Sequence, residues 1–409
     1  MNTRVIAVFI LSLLIQHGTY AQNCWLEKAD IPGPGRYSGI GFSVGWQGYV
    51  GLGANSTFSY LDDFYEYSVL TGAWLQKASF PGEGIYSPTS FSINGIGYVC
   101  CGFSSGGVCQ TEVWSYDPAA DTWAQMAPFP GQARYGASAF VIGDSAYLVA
   151  GSFNNGSNYL YDLWMYNSIN DTWTQKSDFP GANRCHGVAF SIFGKGYFGT
   201  GLAETNIAAS DFWQYNPGTD TWSAIANFPG MPRMGAVSYV INNNGFVGSG
   251  YDLVNEYNDF WRYEPVSDTW IPSCPVSGAS GRRVGVCFTI MHMGFYGAGY
   301  SDDNGSLNDF WEFRPTLDVP ETQTQKEGFR IYPNPTQGDL FIDLFSNVSP
   351  DTRVMIFDVS GRLLLNQTIN NEHNTKIRLP SDISNGFYYY CIRSHDKIND
   401  TGILLLNKQ

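Results

Sequence analysis

Arginine recurs at one fixed point of a repeated pattern: Arg36, Arg134, Arg184, Arg233 and Arg282, with Ile85 at that point in the second copy. An acidic residue follows each at a matching interval, at Asp63, Glu112, Asp162, Asp211, Asp259 and Asp309. Guanidinium groups grip carboxylate or sulfate through paired N–H donors, so a ring of arginines is a candidate mouth for an acidic ligand. The competing reading is internal. Repeated arginines and repeated acids could pair with one another, because buried charge is usually paired.

The residues between a repeated glycine and these acids carry a second kind of chemistry. From Gly53, Gly102, Gly151, Gly201, Gly250 and Gly299 to the acid the stretch stays at 9 to 11 residues, while its content diverges. Tyr60, Tyr159, Glu204 and Glu256 stand out there, with Phe58, Tyr161, Asp252, Tyr257, Asp302 and Asp303 beside them. Variable loops on a rigid frame are where binding concentrates. Tyrosine faces stack on sugar rings and carboxylates accept hydroxyl hydrogens, so these residues suit carbohydrate. The same residues would also serve as an ordinary solvated surface.

The frame is a repeat. Tryptophans at Trp25, Trp74, Trp123, Trp173, Trp222 and Trp270 are separated by 49, 49, 50, 49 and 48 residues. Such a period marks supersecondary units that cannot bury their apolar faces alone. Within one unit, Phe140 and Ile142 alternate with small neighbours, Tyr147 to Ala150 is short and apolar, and Asp162 to Tyr166 and Trp173 to Gln175 complete four strands. Four antiparallel strands repeated radially predict an all-β, six-bladed β-propeller. The chain enters with a lone fourth strand at Trp25 and leaves after a third strand at Phe313. The N-terminal strand is therefore expected to complete the last blade from outside. Eleven of the twelve tryptophans fall on the repeat template and read as packing; Trp46 does not.

These features resemble the kelch family. Trp114-Ser115-Tyr116-Asp117-Pro118 with Asp121-Thr122-Trp123 matches its pattern, and Asn216-Pro217 with Asp220-Thr221-Trp222 is a near copy. Only the second glycine of the family's glycine pair is kept; Leu52, Cys101, Ala150, Thr200, Ser249 and Ala298 stand in the first place. The resemblance implies a propeller, and among its members binding proteins, oxidases and sugar mutarotases. An oxidase's copper would need two histidines together, but His186 and His292 belong to opposite faces. A sialic-acid mutarotase-like activity would need an acid/base pair at the mouth, with Glu204 or Glu256 near an arginine as candidates. Asp302 to Ser306 lacks the acidic spacing of a calcium loop and reads as a turn.

The pattern breaks after Pro315. Residues 316–329 read as a linker, and 330–409 as a small Ig-like β-sandwich of alternating segments. Tyr332-Pro333-Asn334-Pro335, Val359-Ser360-Gly361-Arg362, Asn385-Gly386-Phe387-Tyr388 and a closing apolar strand occur in order. This module is similar to the type A C-terminal sorting domain of the type IX secretion system of Bacteroidota. That implies the type IX machinery as partner and passage across the inner and outer membranes, to a secreted or cell-surface location.

Residues 1–21 fit this route as a signal peptide: Arg4, an apolar stretch from Val5 to Ile15, then Thr19-Tyr20-Ala21. The propeller would then span 22–315. With 44% apolar, 16% aromatic and 14% charged residues the chain has ample core, and its net charge of −14 argues against nucleic acid as partner. No further segment is apolar enough for a membrane helix. The eight cysteines show no metal-ligand spacing, and no metal or cofactor is expected. A bridge from Cys109 to Cys100 or Cys101 is open, as are isolated thiols. Together these features predict an exported propeller that binds a carbohydrate or protein ligand, with a sugar-active enzyme as the alternative.

Overall fold

The computed structural model describes residues 24–153, 158–204, 206–276, 279–314, 329–332, 336–344, 349–358, 362–369, 375–380, 383–394 and 397–406. The expected signal peptide and its cleavage point, the expected linker up to residue 328 and parts of the sorting-domain motifs lie outside them. The described residues form strands and turns without an α-helix, hence without a helix long and apolar enough to cross a membrane.

Six four-stranded antiparallel sheets make a propeller. In blade 1 the strands are Ile40–Val44, Gln47–Gly51, Phe64–Ser68 and Ala73–Gln76, from the axis outward. The second strand is almost wholly buried, because sister blades cover both its faces. Small residues make that possible. A Cβ at Gly48, Gly97, Gly196, Gly245 or Gly294 would overlap the inner-strand aromatic of the blade before it, respectively Phe288, Phe42, Phe140, Phe190 and Tyr239. Five of the six blades therefore plug their Phe or Tyr into a glycine socket on the neighbour, and Phe91 packs in one cluster with Ala146 at the sixth joint, burying apolar area throughout.

The repeated tryptophans clamp the same joints with polar atoms. The indole N–H of Trp123, Trp173, Trp222 and Trp270 donates across to the carbonyl of Ala78, Ala127, Ser177 and Ala226, at 2.9 to 3.2 Å. A turn aspartate reinforces each clamp. Asp121 accepts the Tyr116 hydroxyl at 2.6 Å and the Ala78 N–H at 3.0 Å, and Asp171, Asp220 and Asp268 repeat this. Burial works against ionisation of Asp121 and Asp220, yet these donors hold both carboxyls below the usual range.

The ring closes as the permutation predicts. Trp25–Lys28 pairs with Phe310–Phe313 as the outermost strand of blade 6, with Trp25 opposite Phe313. The sequence did not single out the covalent reinforcement: Cys24 is disulfide-bonded to Cys274 beyond blade 5's outer strand, with Cα atoms 6.4 Å apart. The bridge weighed for Cys109 with Cys100 or Cys101 does not form; Cys100 and Cys101 are buried thiols in an apolar cluster.

The C-terminal module packs two antiparallel sheets face to face. Phe329–Tyr332, Asp339–Leu344 and Thr375–Arg378 form one; Arg353–Phe357, Leu363–Thr368, Gly386–Ser394 and Lys397–Leu406 form the other. Leu340, Ile342 and Ile377 from the first meet Val354, Ile356, Ile392 and Leu404 from the second. Trp46, the tryptophan off the template, stacks on Tyr389 of this module with ring centroids 3.5 Å apart.

Candidate functional site

The arginine slot sits where the chain enters each inner strand. Arg134 donates from Nη1 and Nη2 to the two carboxylate oxygens of Asp162 at 2.6 and 2.7 Å. Nη1 also reaches the Ala150 carbonyl at 2.8 Å, and Nε the Gln132 carbonyl at 2.9 Å. Its guanidinium lies 4.7 Å from the centre of the Phe129 ring, and Trp164 Nε1 holds the far side of Asp162 at 2.7 Å. Arg36, Arg184, Arg233 and Arg282 are bound in the same way to Asp63, Asp211, Asp259 and Asp309. All five arginines are at most 1% exposed. They are therefore not a ligand ring, because both terminal nitrogens of each guanidinium are engaged within the protein and water is shut out. Each lashes the second and third strands of its own blade.

Two residues past the slot, the chain rings the channel. Ser38, Ser87, Gly136, His186, Gly235 and Val284 all have φ between 48° and 62°. In this left-handed conformation each N–H points around the axis. Six backbone hydrogen bonds of 2.7 to 2.9 Å run from blade to blade in a closed circle, Ser87 to Ser38, Gly136 to Ser87 and so on to Val284 and back. The conformation is free for Gly136 and Gly235 but strained for the β-branched Val284. The circle surrounds a cavity of about 110 Å³. His186 lines it, bonded to Ser87 Oγ at 2.9 Å, and burial lowers its pKa to about 4, so the imidazole is neutral near pH 7.

Above this circle the intervening residues, Tyr37, Tyr86, Tyr135, Cys185, Met234 and Arg283, turn the other way along the extended chain toward the mouth, with Tyr37 and Cys185 buried and the others partly exposed. Its wall is a run of aromatic contacts. Tyr60 stacks on Tyr86 at 6.0 Å, Tyr86 meets Tyr37 edge-on at 5.7 Å, and Tyr37 meets Tyr300 at 5.3 Å. On the other side Tyr86 meets Tyr135 at 6.1 Å. The Arg283 guanidinium is held 4.3 Å from the Tyr251 ring and 4.8 Å from the Tyr300 ring.

Two carboxylates fix that arginine from the rim. Arg283 pairs with Glu256 through Nη1 and with Asp302 Oδ1 through Nη2, the latter at 2.8 Å, while Glu256 Oε2 accepts the Asp302 N–H at 2.9 Å. Burial pushes the Glu256 carboxyl up, with the Asp302 charge adding to it against the pull of Arg283. Burial likewise pushes the Tyr37 and Tyr135 phenols up to about 12, so both are neutral hydrogen-bonding groups at ordinary pH. One cation faces two anions, so the cluster is net negative. Among the described residues no three His, Cys, Asp or Glu side chains gather in a way that would hold a metal ion.

Residues 133–180 match the family model for the kelch motif, and residues 330–404 match the model for the secretion system C-terminal sorting domain. A solved structure described as "Structure of YjhT" superposes with a TM-score of 0.61 at 17% identity, covering 69% of this chain and 95% of that one. That likeness shows the fold alone. No curated protein matches the sequence.

The chain is a kelch-repeat propeller joined to a sorting domain.

The sorting domain directs export by the type IX secretion system to the cell surface or the extracellular space. In this kelch propeller the loop residues singled out by sequence separate. Tyr60 and Glu256 both belong to the mouth. Tyr159 is 7% exposed, sequestered in a small hairpin opposite Ser152. Glu204 is exposed and accepts a hydrogen bond from Asn183 at 2.6 Å. His186 lies at the floor and His292 in a turn after an inner strand.

Sequence reasoning passed over Tyr37, Tyr86, Tyr135, Tyr251, Tyr300 and Arg283. A signal for the first three and the last was present. The position after the arginine slot varies between units while the slot before it keeps to the template in five of six, and half its occupants are tyrosine.

Proposed function

We propose that this exported kelch propeller is a binding module that takes a neutral carbohydrate at the tyrosine-lined mouth. The observation that carries the reading is Arg283, held between the rings of Tyr251 and Tyr300 and braced by Glu256 and Asp302. A sugar ring can lie against the exposed parts of such a wall, while the carboxylates accept its hydroxyl hydrogens and Arg283 donates. Convergence of polar groups from several blades onto one concavity is the usual make-up of a small-ligand site. The net negative cluster disfavours an anion, which would have to displace Glu256 or Asp302 from Arg283. A glycan array probed with the mature protein tests this: neutral glycans should give saturable signals. Signals confined to acidic glycans, or none, would count against it.

One observation favours a second reading, a sugar-active enzyme of the mutarotase type. Glu256 has a raised pKa and sits beside a fixed cation, the pattern of a general acid/base. Anomer exchange followed by proton NMR should then be accelerated by the protein and lost in Glu256→Gln.

A further inference from the structure

Blade 2 keeps the whole arginine cage and lacks the arginine. At the slot stands Ile85, 5% exposed, and the parts that hold the guanidinium elsewhere are all present around it. Phe80 corresponds to Phe129, Phe179 and Phe228, and it meets Trp114 at 5.8 Å, as those rings meet their tryptophans at 5.6, 5.9 and 6.3 Å. Trp114 Nε1 donates to Glu112 Oε2 at 3.0 Å, as Trp164 does to Asp162. Cys101 occupies the place whose carbonyl accepts Nη1 in the five other blades, at Leu52, Ala150, Thr200, Ser249 and Ala298.

The space left behind is real. A cavity of about 420 Å³ opens there, lined by Phe80, Ile85, Cys101, Glu112 and Trp114 and flanked by Glu83. No lysine or arginine lines it. Glu112 is the one glutamate at the acid position; it is a methylene longer than aspartate and is exposed to solvent. A second polar side chain lines the same space. Ser104, 1% exposed and lining the same cavity, has a hydroxyl without a hydrogen-bond partner among the described residues. Buried hydroxyls are rarely left so, and such a group calls for an explanation.

We propose that this vacated slot is a binding site for a guanidinium group supplied from outside, namely an arginine side chain of a peptide or of a small arginine derivative. The sister blades of Arg134, Arg184 and Arg233 show what these side chains select: a planar cation, set against a phenylalanine, forked onto a carboxylate and hydrogen-bonded to a carbonyl. A guanidinium matches that fork and stack where an ammonium does not. The cavity also has the charge for it, since Glu83 and Glu112 are the ionisable carboxylates on its wall. The slot and the mouth are separate sites, because Ile85 and Tyr86 point to opposite sides of one extended segment.

The test is calorimetric titration of the mature protein with agmatine, an N-acetylated arginine amide, an arginine-centred tripeptide and the matching lysine compounds. Saturable binding of arginine compounds, at least about tenfold tighter than of lysine compounds, is expected. Agmatine and peptide binding alike would identify a small-molecule site, and binding of the peptide alone a protein site; both support the slot. Glu112→Gln, which keeps an oxygen for Trp114, should weaken binding by about tenfold or more. Ile85→Arg should abolish it by filling the cage from within, and should not lower the melting temperature. No saturable heat in the wild type, or equal binding by the wild type and Glu112→Gln, would overturn the assignment.

Discussion

Arg134 and its four repeats convert charge into rigidity. Each guanidinium is buried and held by a forked carboxylate, backbone carbonyl and aromatic ring, as Arg134 shows. Breaking such a pair on one side leaves the other charge buried and alone, which costs about 3–5 kcal/mol. Asp162→Ala should therefore lower stability to denaturant by that amount, whereas Glu204→Ala, on an exposed loop, should change it by under about 0.5 kcal/mol. Equal effects would show that the slot is not structural.

The missing first glycines tell a complementary story at the same scale. Leu52, Cys101, Ala150, Thr200, Ser249 and Ala298 all have φ between 54° and 63°, which a glycine adopts freely. Thr200 is the worst placed, being β-branched and carrying a buried hydroxyl without a hydrogen-bond partner among the described residues. Relief of about 1–2 kcal/mol of strain and removal of that hydroxyl should outweigh glycine's extra unfolded-state entropy. Thr200→Gly is expected to raise the denaturation midpoint; a fall would show that methyl packing dominates there. The sequence revealed the departure from the glycine pair but not its cost, because φ is invisible in residue identity once glycine is gone.

Elements show why the frame was legible and the site was not. Trp123, Phe140 and Asp162 recur because every joint between blades poses one steric and hydrogen-bonding problem, so spacing alone exposes the solution. The mouth belongs to the positions where repetition fails. Tyr86 and Arg283 occupy one template position with different chemistry, and only the ring geometry brings them to one axis. The arginines misled for the opposite reason: sequence set them on the correct face but could not tell inward from outward.

The floor circle yields a pH dependence. His186 titrates near its ordinary 6.5 when unfolded but at about 4 in the fold, where burial disfavours the charged ring. Between those values the unfolded chain binds a proton that the folded chain refuses, so stability falls as pH drops from about 6.5 to 4 and is flat above. The lowered Asp121 and Asp220 act further down, their contribution being present above about 4 and lost as pH falls through their folded values. His186→Asn, whose side chain tolerates the left-handed backbone, should flatten the fall in melting temperature from pH 7 to 5. An unchanged slope would remove His186 from the acid response.

At the scale of the whole molecule, closure is doubly secured. The strand Trp25–Lys28 covers an otherwise open sheet edge, and Cys24–Cys274 locks it across 250 residues of chain. Export delivers the protein to compartments where disulfides persist. Reduction, or Cys24→Ser with Cys274→Ser, should cost about 2–5 kcal/mol. Deleting residues 22–31 should lower the melting temperature of the propeller far more than deleting 330–409, because only the first opens the ring. Equal losses would contradict closure through the N-terminal strand.

The division of labour between the faces carries the functional claim. The sorting domain meets the propeller through Trp46 and Tyr389, in the turn region opposite the mouth, which leaves Tyr60, Tyr86, Tyr300 and Arg283 uncovered by it. The most direct test is a crystal structure of the mature protein soaked with the neutral glycan that binds best on the array. The sugar should be found against Tyr86 and Tyr300, within hydrogen-bond reach of Arg283 or Glu256. A sugar bound instead beside Trp46 or His292, with the mouth empty, would contradict the assignment of function to this face.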